Sequence, residues 1–152
     1  DITGKNIRLG ISLSDLYKKL ATYPVKGAYV FLDACFSGGY KSAAPLLAQK
    51  GVRVVPKVGL PQGNTLSFSS SSGDQTSSVY HEKKQGYYTY FLIKTIRDAK
   101  GNISMKELFD RTSAAVKRAT ALIDKIQEPQ CMASPTWIGW EDIKLETPVV
   151  TP

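Results

Sequence analysis

An α/β domain, in which helices cover a mostly parallel sheet, is the fold class this sequence predicts, and three observations predict it. Gly27–Leu32 is a continuous apolar run of the kind found in parallel strands buried on both faces. Tyr88, Phe91, Leu92, Thr95, Ile96 and Ala99 recur at helical spacing, and Met105, Leu108, Phe109, Thr112, Val116, Ala119 and Ile123 do so again. Strand-like and helix-like segments alternate with no internal repeat, which points to helices packed on a sheet.

In chain order, Ser12–Asp15 fits a capping box that opens a short helix through Leu20 or Ala21, and Pro24 marks its exit. The Gly27–Leu32 strand follows. Lys41–Lys50 reads as loop with a short helix around Leu46 and Leu47, and Val52–Val55 as a strand. Pro56–Asn64, with two prolines and two glycines, is a connection. Asn64–Ser71 reads as a strand of small and apolar residues. Two core-facing helices come next, the second opened by a capping box at Ser104–Glu107 and parted from the first by Gly101 and Asn102. After Pro129, Thr136–Trp140 is expected as a last strand, and residues 147–152, flanked by prolines, as a linker or tail.

With 152 residues, 42% hydrophobic and 22% charged, the composition suits one core, so a single domain is expected over residues 1–146. No apolar run approaches the length that spans a bilayer, and no membrane partner is expected. Twenty Lys and Arg against thirteen Asp and Glu give a formal charge of +7, but the bases fall in short pairs such as Lys18-Lys19, Lys83-Lys84 and Lys117-Arg118. Without an interleaved aromatic platform they read as a solvated surface, and no nucleic-acid partner is expected. The two cysteines, nearly a hundred positions apart, make neither a disulfide framework nor a metal motif, and one histidine makes zinc improbable.

The chemistry concentrates where the apolar run ends. Phe31-Leu32-Asp33-Ala34-Cys35-Phe36-Ser37-Gly38-Gly39 passes from a strand into a small, glycine-rich turn. A thiol placed there can stay exposed, and the turn's N–H groups can face an incoming carbonyl. A free cysteine at a strand end is equally the profile of a small core hydrophobe. Two further segments follow: the strand leading into Ser72-Gly73-Asp74-Gln75-Thr76-Ser77, and Gly86-Tyr87-Tyr88-Thr89-Tyr90-Phe91-Leu92.

Together these three motifs resemble the caspase-like cysteine peptidases, especially the metacaspase and bacterial caspase-like branch, over a span from about Gly10 to Gln130. The resemblance implies a three-layer α/β fold, of which this chain is the C-terminal, Cys-bearing part, incomplete without an upstream segment. It implies that Cys35 is the nucleophile, with its own backbone N–H in the oxyanion site and Gly38 keeping the turn small beside it. Asp33, two residues before Cys35 and so on the same side of the strand, corresponds to the acid that reads Arg or Lys before the scissile bond; capping the turn is its alternative role. Asp74 would lie at that pocket's rim, and Ser69, Ser70 and Ser71 would present backbone to an extended substrate by strand addition.

A peptidase of this kind needs a general base, normally His, which in caspases lies about 50 residues before the Cys. His81 is the only histidine here, in a polar stretch where a solvent-exposed loop side chain is expected. The resemblance therefore implies an N-terminal fragment of the same precursor as partner, carrying the His and separated by self-cleavage in the clostripain manner. Metacaspase relatives often need calcium, but the Tyr40–Gln49 loop holds no acidic cluster, so neither metal nor other cofactor is expected. Cys131 has no motif around it and is expected to be structural. Two other classes stand beside the peptidase: a non-catalytic scaffold retaining the fold, and a basic module binding nucleic acid or an acidic protein with steep salt dependence.

Overall fold

The computed structural model describes residues 11–34, 59–72, 75 and 77–145. The expected loop at Lys41–Lys50, the strand at Val52–Val55, the residues Cys35, Gly38 and Asp74, and the tail at 147–152 lie outside them.

The first helix, α1 (Leu13–Ala21), begins as its capping box requires: Ser12 Oγ accepts the Asp15 N–H at 3.0 Å and donates to Asp15 Oδ2 at 2.7 Å. Strand β1 (Ala28–Leu32) follows, then β2 (Thr65–Ser69). A short hairpin of β3 (Val79–Tyr80) and β4 (Gln85–Gly86), turned by a 3₁₀ segment at His81–Lys83, leads directly into α2 (Tyr87–Asp98). Helix α3 (Met105–Ala121) and β5 (Gln130–Ala133) complete the layers. Lys100 and Gly101 both take positive φ, 51° and 75°, and Gly101 N–H caps the Ile96 carbonyl at 3.0 Å, which stops α2 where the Gly-Asn pair was expected to. Ser104 Oγ accepts the Glu107 N–H at 3.2 Å and opens α3.

The main described sheet has the order β1-β2-β5; β1 and β2 are parallel, β2 and β5 antiparallel. Alternation along β2 sends Leu66 and Phe68 to one face and Thr65, Ser67 and Ser69 to the other. Leu66 and Phe68 enter a cluster with Tyr88, Ile103, Met105, Leu108, Val116 and Trp137, on the face covered by α2 and α3. On the opposite face the fully buried Tyr17 of α1 donates to Ser67 Oγ at 2.8 Å. A small sheet is thus flanked by helices on both sides. Among the described helices none is long and apolar enough to cross a membrane.

Three expectations are corrected. β1 is only half-buried, with Phe31 39% exposed: among the described residues it pairs along one edge, with β2, and the Phe31 ring stacks on Phe68 at 5.0 Å. The last strand lies at Gln130–Ala133, not Thr136–Trp140. Trp137 reaches the core from a turn and packs at 5.9 Å against Tyr29, while Ile138 is 92% exposed, so the apolar residues there serve insertion rather than pairing. Finally, α3 ends before Ile123, whose side chain is exposed; the buried stripe of that helix closes at Thr120.

Candidate active site

The C-terminal end of β1 is anchored before it delivers Asp33. Leu32 pairs with Ser69, and the Leu32 carbonyl accepts the Ser70 N–H at 2.9 Å. Asp33 is the next residue and is exposed, yet its carboxylate is held by three donors. Oδ1 accepts the Ser77 hydroxyl at 2.6 Å; Oδ2 accepts the Thr89 hydroxyl at 2.6 Å and the Thr89 N–H at 3.2 Å.

The Thr89 contact explains how α2 begins. Its N-cap residue is Gly86, which has no side chain to satisfy the free N–H groups of the first turn. Thr89 is the third helical residue, whose N–H a capping side chain would normally take. Asp33 supplies that acceptor from a different strand, and its negative charge lies at the positive end of the helix. Gly86 also makes room for it: a Cβ built there would overlap Asp33 Oδ2. The β3–β4 hairpin fixes Gly86 in place through its pairing with Val79.

Ser77 connects the carboxylate to the interior. A serine hydroxyl carries one proton, and the 2.6 Å contact with a carboxylate claims it. The Ser70 and Ser77 hydroxyl oxygens lie 2.9 Å apart, and Ser70 Oγ donates to the Ala34 carbonyl at 3.3 Å. Buried Gln127 braces both: its amide donates to the Ser70 carbonyl at 3.0 Å and approaches Ser77 Oγ at 3.4 Å, while its Oε1 accepts the Ser78 N–H at 2.9 Å. Next to it the Glu128 N–H donates to Gln75 Oε1 at 2.7 Å. The segment after β2 is thereby tied to the chain entering β5.

Ser69, Ser70 and Ser71 are buried, at 8%, 0% and 1% exposure. Strand addition does not fit them. β2 is paired on both edges, Ser69 with Leu32 and with Gln130, and both the N–H and the carbonyl of Ser70 are taken. Ser69 Oγ donates to the Ser71 carbonyl at 3.3 Å and Ser71 Oγ to the Gln75 carbonyl at 3.4 Å, so these hydroxyls satisfy a polar strand end. Ser70 joins the Asp33 network; Ser69 and Ser71 do not touch it. His81 is exposed on the hairpin's 3₁₀ turn.

Sequence reasoning missed Ser77, Thr89, Gly86 and Gln127. The first three lie inside the two motifs after β2, so the signal was present, but which side chains meet Asp33 depends on the fold. Gln127 carries no such signal. Burial pushes the Cys131 thiol up to about 12, with Lys106 opposing and Asp110 and Glu141 adding. A thiol kept protonated in this way is a poor nucleophile. Burial likewise raises the Tyr88 phenol well above its ordinary range, with Cys131 and Asp33 adding, so it stays neutral.

A layered α/β domain that anchors an exposed acid at a strand end, two residues ahead of Cys35 in the sequence Asp-Ala-Cys-Phe-Ser-Gly-Gly, has the outline of a cysteine hydrolase. The family comparison gives the particular class: the chain belongs to the caspase-domain family, whose model matches residues 4–136. That membership supports a thiol-protease type of hydrolase in general. No curated protein matches the chain.

Proposed function

We propose that the protein is a cysteine endopeptidase that hydrolyses peptide bonds after Arg or Lys. Cys35 is the nucleophile: its thiolate attacks the scissile carbonyl, the amine leaves with a proton from a histidine, and water hydrolyses the resulting thioester to release the acid and restore the thiol. The histidine comes from an N-terminal fragment of the same precursor, freed by self-cleavage and retained as partner. The Cys35 N–H contributes to the oxyanion site, and Gly38 keeps the turn beside it small. Asp33 reads the basic side chain, with Asp74 at the rim of the pocket.

The observation that carries this proposal is the Asp33 carboxylate itself, exposed and yet fixed by Ser77 and Thr89. The three donors orient the carboxylate from the protein side, and its exposure leaves it accessible to a ligand. A preoriented, accessible carboxylate recognises a cation at low reorganisation cost. The test uses the protein as it occurs naturally, assayed on peptides with Arg, Lys, Asp or Leu before the cut. Cys35→Ala abolishes cleavage without lowering the melting temperature, and Asp33→Asn weakens Arg and Lys substrates selectively. Activity surviving in Cys35→Ala would reject the nucleophile, and equal loss on every peptide in Asp33→Asn would reject the pocket.

A further inference from the structure

The Asp33 carboxylate offers a bound cation fewer acceptor positions than a free carboxylate does. Two carboxylate oxygens present about four lone-pair sites. Oδ2 already accepts both the Thr89 hydroxyl at 2.6 Å and the Thr89 N–H at 3.2 Å, while Oδ1 accepts the Ser77 hydroxyl at 2.6 Å. Among the described residues the position left open is on Oδ1. Arg exceeds Lys at carboxylate sites because its planar fork makes two parallel N–H···O bonds, one to each oxygen. With Oδ2 filled from the protein side, the second prong of that fork has no acceptor, whereas an ammonium needs only one.

We infer that Thr89 is a specificity-setting positioning residue: by occupying Oδ2 with both its N–H and its hydroxyl, it limits Asp33 to a single-point contact and makes the pocket accept Lys and Arg on near-equal terms. The inference rests on Asp33 being the acid of the substrate pocket, as proposed above. The two Thr89 contacts separate experimentally. The N–H bond belongs to the first turn of α2 and survives any side-chain change, so only the hydroxyl is removable. Thr89→Val is close in shape and frees one Oδ2 position; Thr89→Ser keeps it filled. Ser77→Ala opens Oδ1 and leaves Oδ2 blocked.

The measurement is kcat and KM of the natural protein on matched peptides that differ only in Arg or Lys before the scissile bond. Wild type is expected to cleave both with kcat/KM within about tenfold, since one charge-assisted contact serves either side chain. Thr89→Val raises the Arg-to-Lys ratio roughly threefold to tenfold, chiefly through a lower KM for Arg, as a second charge-assisted bond becomes available. Thr89→Ser restores the wild-type ratio and Ser77→Ala leaves it unchanged. A merely structural Thr89 would depress both substrates together in Thr89→Val, and that result overturns the inference. So does a wild-type preference for Arg above about a hundredfold, which requires a two-pronged contact and needs no variant to fold. Wild type cutting neither Arg nor Lys peptides, while cutting others, would instead overturn Asp33 as the pocket acid, and the role of Thr89 with it.

Discussion

β1 and β2 lie side by side in parallel, five residues each, and their burial runs opposite to their polarity. β1 is AYVFL, apolar throughout, and is half-buried with Phe31 exposed; β2 is TLSFS, three-fifths hydroxylic, and every residue is buried. Position decides this. β2 has a paired strand on each edge and helices on both faces, while β1 is paired on one edge among the described residues. The hydroxyls are tolerated inside because they find partners: Tyr17 for Ser67, the Ser71 carbonyl for Ser69, the Asp33 network for Ser70. The polar end of the buried strand thus organises the acid at the end of the half-buried one.

The sharpest way to break the contrast is truncation of the two stacked phenylalanines. Phe68→Ala is expected to cost about 3 to 5 kcal/mol, since it opens a cavity in a close-packed core. Phe31→Ala is expected to cost about 1 kcal/mol, the scale of a partly exposed ring contact. Urea unfolding of both variants measures the difference, and comparable losses would show that β1 is as enclosed as β2. Next is Tyr17→Phe, which deprives buried Ser67 of its donor; a loss of roughly 1 to 3 kcal/mol is expected by the same titration. Asp33→Asn removes the charge that caps α2 and should lower stability by only about 0.5 to 1 kcal/mol. A loss several times larger would mean that the acid is mainly structural. Lys94→Ala breaks an exposed pair with Asp98 at 2.6 Å and should leave the unfolding midpoint unchanged. Least of all should happen at Cys131. Burial pushes its thiol up to about 12, which keeps it protonated throughout the neutral range. Iodoacetamide at neutral pH, followed by peptide mass mapping, should label Cys35 and leave Cys131 unmodified.

Much of the fold was legible because local rules and tertiary structure agree. The N-caps at Ser12 and Ser104, the Gly101 stop and the buried positions Tyr88, Thr95, Met105, Leu108, Thr112 and Val116 follow from spacing alone. Burial of β1 was misjudged because an apolar run does not reveal whether its strand is flanked on both sides. The β3–β4 hairpin escaped notice because two-residue strands carry no period, and the last strand was misplaced because Trp137 and Ile138 imitate one. At the site, Asp33 was singled out by the motif it shares with Cys35. Its partners Ser77 and Thr89 were not, being 44 and 56 positions away and joined to it only by the fold.

The most direct test of Asp33 as the charge-reading group at a cysteine peptidase site is kcat/KM for two peptides identical except for Arg or its neutral isostere citrulline before the cut. Wild type and Asp33→Asn are compared in the natural protein. A hydrogen bond to a charged group is worth on the order of 1.5 to 3 kcal/mol, so wild type should prefer Arg by at least about tenfold. That preference should collapse in Asp33→Asn, with citrulline cleavage nearly unchanged. An Arg preference that survives the substitution, or a parallel loss on both peptides, would contradict the account.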